Sequence, residues 1–116
     1  MDLQQIGLQH PHVRQLRRVI NNSSADLRRF VVAEGLWAHE VLLELGTPIE
    51  VFLWCPEAAP GAARACSEQV AARANHAYRI SPRVLERIAE RDRPDGLVSL
   101  VGLPHWDPAA ITFGRP

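Results

Sequence analysis

RFVVAEG, residues 29–35, joins a short apolar run to the start of a helical pattern, and this junction decides the fold that the sequence predicts. The aromatic and β-branched residues at its centre predict a buried, central strand. Gly35 allows the sharp turn that is needed when a helix follows a strand at once. The helical pattern then runs to about Leu45, and Gly46 is typical of a helix end.

Strand and helix patterns continue to alternate on both sides of this junction. Pro11 favours a first helical turn, and the pair Ser81-Pro82 favours another. Strands that alternate with helices predict a single α/β domain, a three-layer α/β/α sandwich around a four-stranded, largely parallel or mixed sheet. The further elements predicted are a helix from residue 11 that ends before Asn21, strands at 49–54, 76–80 and 97–101, and helices at 61–74 and from residue 82.

Length and composition exclude several classes of protein. A chain of 116 residues, 47% of them hydrophobic, is long enough for one domain with a real core. It has no run of about 18 apolar residues and no apolar N-terminal signal segment, so we expect a cytoplasmic protein without membrane contact. Cys55 and Cys66 form no C-x-x-C pair and are expected to be reduced structural thiols. The five histidines show no metal-ligand spacing.

Charge is distributed unevenly, although the formal net charge is zero. Residues 11–33 carry a net charge of +4, residues 34–57 carry −5, and residues 58–93 carry +3. The basic residues are all arginines, since the chain has no lysine. A basic face of this kind is typical of nucleic-acid binding. The alternative explanation does not involve RNA. The charged stretches could simply be solvated helix faces, and a genome that favours arginine codons would explain why the basic residues are arginines.

Sequence motifs of catalysis are absent. The chain has no G-x-S-x-G, no phosphate-binding glycine loop and no G-x-G-x-x-G. Ligands of open α/β sheets bind beyond the carboxyl ends of the strands. Among the three predicted strand-to-helix junctions, only Glu34-Gly35 has a glycine at which backbone can approach a ligand. The residue patterns alone therefore predict a small, soluble α/β domain with a basic N-terminal segment, and they identify no catalytic site.

Three stretches together resemble one family of enzymes. They are HPHVRQLRRV (10–19), RRFVVAEGLWAHEVLLELG (28–46) and YRISPRVLERIAERDRPDGLVSLV (78–101). Their order and spacing are similar to those of the N-terminal substrate-binding domain of SpoU/TrmH-type RNA 2′-O-ribose methyltransferases. The matching features are the Glu34-Gly35 pair, the helix start from Ser81 to Val84 and the turn from Pro94 to Gly96, and the similarity covers roughly residues 10–103.

The resemblance implies a fold like that of the kink-turn-binding ribosomal proteins. Residues 1–103 would be an RNA substrate-binding domain, and residues 104–116 a linker toward a C-terminal methyltransferase domain that this chain lacks. That absent domain would bind S-adenosylmethionine, catalyse the reaction and form a homodimer. The chain itself is expected to bind ribosomal or transfer RNA, to hold no cofactor or catalytic residue, to be inactive alone, and to be a monomer or a weak dimer.

The residues expected to contact RNA are arginines near the N-terminus and one carboxylate at the first junction. Arg14 and Arg18 lie one helical turn apart and should share a face. Glu34 either orients a nearby arginine toward RNA or stabilises the N-terminus of the following helix as a structural carboxylate. The full set is Arg14, Arg17, Arg18, Arg28, Arg29 and Glu34.

Two other groups of residues are expected to be structural. Arg83, Arg87 and Arg91 recur at helical spacing, but Glu86 and Glu90 interleave with them and predict a self-neutralised surface. Trp37 and Trp54 lie within apolar segments and are expected in the core, whereas Trp106 lies in the predicted linker.

Two alternatives to the methyltransferase interpretation remain open. The chain could be a free-standing RNA-binding protein of the same fold, with no enzyme attached. It could instead be a protein-interaction module, whose arginines serve only solubility.

Overall fold

A four-stranded mixed sheet lies between two layers of helices in the computed structural model, which describes residues 2–21, 30–89 and 94–102. The order of elements confirms the predicted alternation of strands and helices. In chain order the elements are α1 (Pro11–Ile20), β1 (Phe30–Glu34), α2 (Leu36–Leu45), β2 (Ile49–Trp54), a 3₁₀ turn (Gly61–Ala63), α3 (Arg64–Arg73), β3 (His76–Arg79), α4 (Pro82–Ile88) and β4 (Leu97–Gly102).

The strands are arranged in the order β1-β4-β2-β3. β4 is antiparallel to both of its neighbours, and β2 and β3 pair in parallel, so the sheet is mixed. The prediction that β1 is a central, buried strand is wrong: β1 is an edge strand, and Val31 is 44% exposed. β4 and β2 occupy the centre of the sheet, and almost all of their residues are buried. Both strands have apolar residues on both faces, which suits a position covered by helices on both sides.

Each face of the sheet has its own apolar core. On one face α1 and α4 cover the sheet, with Leu16 and Leu85 packed against Leu53 and Leu100. On the other face α2 and α3 cover a smaller cluster around Phe52. The core positions predicted for α4, namely Val84, Leu85 and Ile88, are confirmed.

Helix ends follow the sequence signals closely. Pro11 is the first residue of α1, and the His10 ring nitrogen Nδ1 accepts a hydrogen bond from the backbone N–H of His12 at 3.1 Å. Ser81 caps α4 through its hydroxyl, which accepts from the N–H of Val84 at 3.2 Å. Gly46 ends α2 in the left-handed conformation, with φ of 68°. These ends confirm the predicted boundaries of α1, α2 and α4.

The two tryptophans that the structure describes differ in their surroundings. Trp54 is buried in the second cluster, as predicted. The prediction for Trp37 is wrong, because 76% of its surface is exposed on α2. Leu45, two turns further along the same helix, is also exposed at 72%. The periodicity identified α2 as a helix but did not identify which of its apolar residues face the core.

Both cysteines are free thiols, as the sequence predicts. Cys55 is fully buried and Cys66 partly buried. Burial raises the pKa of each thiol, and therefore disfavours the reactive thiolate at neutral pH. No helix among the residues that the structure describes has the length and apolar character needed to cross a membrane.

A turn before β4 connects three separate parts of the molecule. The N–H of Gly35 donates to the carbonyl of Leu97 at 2.8 Å, and the N–H of Cys55 donates to the carbonyl of Gly96 at 2.8 Å. The N–H of Leu36 donates to the carboxylate of Asp95 at 2.8 Å. Residues 95–97 thus fasten the end of β1, the start of α2 and the end of β2 to the beginning of β4.

Replacing Gly96 by alanine should lower the free energy of unfolding by at least about 2 kcal/mol. Gly96 has φ of 87°, and an added Cβ would collide with the carbonyl oxygen of Cys55. Gly61→Ala is the matched control, because a Cβ there meets nothing within 4 Å, and its effect should stay within about 0.5 kcal/mol. Urea unfolding of the three proteins, followed by tryptophan fluorescence, measures both effects. Equal midpoints for the two variants would contradict the role assigned to Gly96.

Candidate nucleic-acid interface

The basic face of α1 consists of arginines held outward by a buried apolar side. Val13 and Leu16 are completely buried and fix the helix on the sheet. Arg14 and Arg18 are exposed, whereas Arg17 is partly buried on the flank of the helix. α1 contains no acidic residue. The structure thus places Arg14 and Arg18 one turn apart on one exposed face, as the sequence analysis expects.

The arginines of α1 also have a structural role. Arg17 and Arg18 lie in the last turn of the helix, where positive charge interacts favourably with the helix dipole. This interaction contributes about 0.3–1 kcal/mol per charge at an exposed site. Arg28 and Arg29, which the sequence analysis adds to the same interface, lie outside the described residues, as do Trp106 and the predicted linker.

The carboxylate that caps α2 is Asp95, which the sequence analysis did not identify. Glu34 does lie at the exit of β1, opposite Val98 of β4, and it is partly buried. The side chain that accepts from the first N–H of α2, however, is Asp95, through its Oδ2 atom at 2.8 Å from Leu36 N. The helix needs this distant partner because its N-cap residue is Gly35, which has no side chain to accept the bond.

Gly35 has the conformation that the sequence analysis predicted, but its backbone is closed to ligands. Its φ is 101°, in the region that favours glycine. Its N–H donates to Leu97, and its carbonyl accepts from both the backbone N–H and the Nδ1 atom of His39. The junction that seemed open to a ligand in the sequence is therefore occupied by the protein itself.

His39 is a buried histidine with both ring nitrogens satisfied. Its Nδ1 atom lies 2.6 Å from the carbonyl oxygen of Gly35, and its Nε2 atom lies 2.7 Å from the hydroxyl of Ser99. A carbonyl only accepts, so Nδ1 carries the proton and Nε2 accepts from the hydroxyl of Ser99. Burial lowers the pKa of His39, against the opposing effects of Gly35 and Asp95. The ring is therefore a neutral link between α2 and β4.

Four aromatic rings meet where the N-terminal end of α1 lies against β3, and we call His10, His12, His76 and Tyr78 the ring cluster. The His12 centroid lies 5.3 Å from that of His10, 4.3 Å from that of His76 and 5.4 Å from that of Tyr78. The His12 Nδ1 atom is 2.8 Å from the Tyr78 hydroxyl. Burial lowers the pKa of His12, His76 and His10 lower it further, and Glu50 opposes them.

The segment before α1, residues 2–9, which we call the N-terminal arm, brings the ring cluster together. Ile6 is buried, its N–H donates to the carbonyl of Arg79 at 3.0 Å, and the N–H of Arg79 donates to the carbonyl of Gln4 at 2.9 Å. The arm thereby covers the outer edge of β3 and leads directly into His10. The sequence suggested the histidines only as possible metal ligands, and their meeting in this cluster was not predicted. The available signal was the i, i+2 spacing of aromatic rings in both the 10–12 and 76–78 pairs.

The described residues contain no group of three or more histidine, cysteine, aspartate or glutamate side chains that could hold a metal ion. What the geometry offers is a basic helix face that continues into a ring cluster. Guanidinium groups bind phosphates, and aromatic rings stack on unpaired bases. This pairing of groups is the chemistry that single-stranded or looped RNA requires.

Comparison with solved structures finds the same fold in RNA-modifying enzymes. Two crystal structures of an rRNA methyltransferase from Sinorhizobium meliloti, one of them AdoMet-bound, share 21% sequence identity with this chain over 89% of its length, with TM-scores of 0.68 and 0.67. A crystal structure of an RNA 2′-O ribose methyltransferase shares 25% identity over 97% of the chain, with a TM-score of 0.70. The mixed α/β sandwich is thus the fold of a segment of RNA methyltransferases.

The chain spans about two fifths of the length of these solved structures, 38% of the Sinorhizobium meliloti enzyme and 41% of the ribose methyltransferase. No protein-family model matches the sequence. No curated protein matches it either.

Replacing Asp95 by alanine should lower the free energy of unfolding by about 0.5–2 kcal/mol, because the first N–H of α2 loses its acceptor. Glu68→Ala is the control. Its carboxylate makes an exposed ion pair with Arg64 at 3.2 Å, and removing such a pair changes stability by less than about 0.5 kcal/mol. Urea unfolding at neutral pH and fixed salt compares the variants. Equal losses for both would show that Asp95 is only a surface charge.

The stability of the protein should decrease as the pH falls below about 6.5, the usual pKa of histidine in an unfolded chain. Above that pH His39 is neutral in both the folded and the unfolded chain, so its titration does not change the free energy of unfolding. Below it the unfolded chain takes up a proton that the folded chain resists, because the folded pKa is lowered.

The contribution of His39 is at most about 1.4 kcal/mol for each pH unit. His39→Gln should therefore give a shallower loss of unfolding free energy between about pH 6.5 and 5 than the wild-type protein. Because the pKa of His12 is also lowered, the variant should still lose some unfolding free energy as the pH falls. Parallel pH profiles for the two proteins would contradict this assignment.

Proposed function

We propose that this chain is the RNA-binding part of an enzyme that methylates the ribose 2′-hydroxyl of ribosomal or transfer RNA. The observation that carries the proposal is the similarity to an RNA 2′-O ribose methyltransferase, with a TM-score of 0.70 over 97% of this chain. The sequence resemblance to the N-terminal substrate-binding domain of SpoU/TrmH-type enzymes supports the same assignment. We propose that this activity takes place in the cytoplasm.

The chemistry of methyl transfer is assigned to a part of such an enzyme outside these 116 residues. One relative is AdoMet-bound, and S-adenosylmethionine is the proposed methyl donor. We expect the described residues of this chain not to hold that cofactor. Gly35, the one junction glycine suited to a close approach, has its N–H and its carbonyl occupied by Leu97 and His39. Both thiols are disfavoured as nucleophiles by their raised pKa values.

The role proposed for this chain is therefore to bind RNA and not to catalyse. Arg14 and Arg18 on the exposed face of α1 would contact phosphates, and Arg17, Arg28, Arg29 and Glu34 belong to the same predicted interface. We expect the chain by itself to transfer no methyl group. We also expect it to be a monomer or a weak dimer, since the dimer contacts of the proposed enzyme lie in the other domain.

A protein-interaction module is the second candidate function. The exposed apolar residues Trp37 and Leu45 on α2, and Val31 on the neighbouring edge strand, favour it. Such residues are typical of protein-docking surfaces when they are close together. A free-standing RNA-binding protein of the same fold is distinguished from the enzyme by whether the RNA bound is also methylated by the complete protein.

Replacing Arg14 and Arg18 together by alanine should weaken RNA binding and flatten its salt dependence. Each lost phosphate contact removes up to about 0.7–0.9 from the slope of log K against log salt concentration, so the slope should fall by between about 1 and 2. Fluorescence anisotropy with a labelled ribosomal RNA fragment, at several salt concentrations, gives both the affinity and the slope.

The matched control is the pair Arg83 and Arg87, which has the same i, i+4 spacing and the same exposure on α4. Its replacement by alanine should leave the slope within about 0.5 of the wild-type value, because Glu86 lies between the two arginines. If both double variants lowered the slope equally, RNA would be attracted by the general positive charge of the protein and not by a specific interface on α1. Failure of the wild-type chain to bind RNA at physiological salt would refute the RNA-binding role and favour the interaction module.

A further inference from the structure

Four rings from distant parts of the chain form one partly exposed surface next to the basic face of α1. We propose that the ring cluster is a subsite on which an unpaired RNA base stacks, at the end of a strip that continues along α1 through Arg14 and Arg18. This inference rests on the proposed function, because it names how part of the RNA is held.

The arrangement of the rings leaves a face for a base. His12 lies at the centre, in contact with His10, His76 and Tyr78. His10 and His76 are the outer rings, and the side chain of His76 is 44% exposed. The His12 and His76 rings are tilted by 36° with their centroids 4.3 Å apart, so His76 packs on His12 and offers its exposed part to a base.

His10 belongs both to the ring cluster and to the start of α1, where it is the N-cap residue. The N–H of Arg14 donates to the carbonyl of His10 at 3.0 Å, so one turn of helical backbone separates these two residues. Arg18 follows after one further turn. From His10 to Arg18 the strip rises about 12 Å along the helix axis. Phosphates that follow a stacked base therefore meet positive charge on the same helix face.

The rings are held in place by hydrogen bonds within the protein. The His12 Nδ1 atom pairs with the Tyr78 hydroxyl at 2.8 Å, and the His12 N–H donates to the His10 ring at 3.1 Å. The N-terminal arm is fixed to β3 by its backbone bonds with Arg79. A platform that is already ordered loses little conformational entropy when a ligand binds.

Charge favours a base over a phosphate at the cluster itself. Glu50 of β2 lies beside it, with one carboxylate oxygen 3.9 Å from the Nε2 atom of His76 and the other 3.0 Å from the side-chain nitrogen of Asn75. A phosphate at this position would be repelled by Glu50. The central ring, His12, is also kept neutral at pH 7 by its lowered pKa. A neutral, polarisable base fits these surroundings, whereas the phosphates fit the arginines.

The test compares RNA with and without unpaired bases. The probes are a fluorescein-labelled RNA hairpin with a seven-nucleotide unpaired loop and a blunt RNA duplex with the same number of phosphates. Binding of the 116-residue chain is measured by anisotropy in the presence of EDTA, which prevents metal ions from bridging the imidazoles. The variants are His76→Ala and His76→Phe, with Asn75→Ala as the neighbouring control that removes no ring.

We expect His76→Ala to weaken hairpin binding about five- to twenty-fold, the effect of losing one stacked base, and to change duplex binding less than about two-fold. His76→Phe, which keeps a ring without a titratable group, should bind the hairpin within about two-fold of the wild-type chain. Asn75→Ala should bind both RNAs as the wild-type chain does. Thermal unfolding of each variant checks that β3 and the N-terminal arm paired with it are intact.

Three results would overturn the inference. Unchanged hairpin binding by His76→Ala, together with weakened binding by the Arg14 and Arg18 variant, would remove the stacking subsite and leave the proposed function in place. Weak hairpin binding by His76→Phe would show that the imidazole acts through charge or hydrogen bonding and not by stacking. Absence of binding of the wild-type chain to either RNA would remove both the subsite and the proposed function.

Discussion

The turn formed by residues 95–97 is the constraint on which the rest of the structure depends. Its three residues accept hydrogen bonds from Gly35 and Leu36, at the junction of β1 and α2, and from Cys55, at the end of β2. These bonds set where β4 enters the sheet, between β1 and β2 and antiparallel to both. Because β4 fills the centre, β1 moves to the edge, and α2 begins beside the capping carboxylate of Asp95. A side chain at position 96 would separate the strands that this turn joins.

The sequence predicted local structure well, because helix ends and strands depend on neighbouring residues. Ser81 and Pro82 start α4, and Gly46 ends α2, through contacts within one turn. The sequence did not predict the order of the strands, since a short apolar run is compatible with a central or an edge position. It offered Glu34, two residues before α2, as one candidate carboxylate for the helix N-terminus, whereas the side chain that accepts from the first N–H of α2 is that of Asp95, 59 residues from Leu36. Sequence spacing cannot reveal such a contact.

The candidate interface also has one part that the sequence predicted and one part that it did not. Arg14 and Arg18 share a face because helical geometry requires it, so this part was predictable. The ring cluster was not, because 66 residues separate His12 from Tyr78 and only the docking of the N-terminal arm on β3 brings them together. The arm has two effects at once. It protects the open edge of β3 from pairing with another chain, and it positions His10 at the start of the basic strip.

The surfaces of α1 and α2, on opposite faces of the sheet, carry opposite charge. α1 has three arginines and no acidic residue, whereas α2 has exposed Glu40 and Glu44 and no basic residue other than the buried, neutral His39. A polyanion is attracted to the first surface and repelled from the second. The exposed apolar residues of α2, Trp37 and Leu45, therefore lie where phosphates are disfavoured and where a protein surface is the better partner. The proposed RNA binding through α1 would therefore leave α2, on the opposite face of the sheet, available for a protein partner.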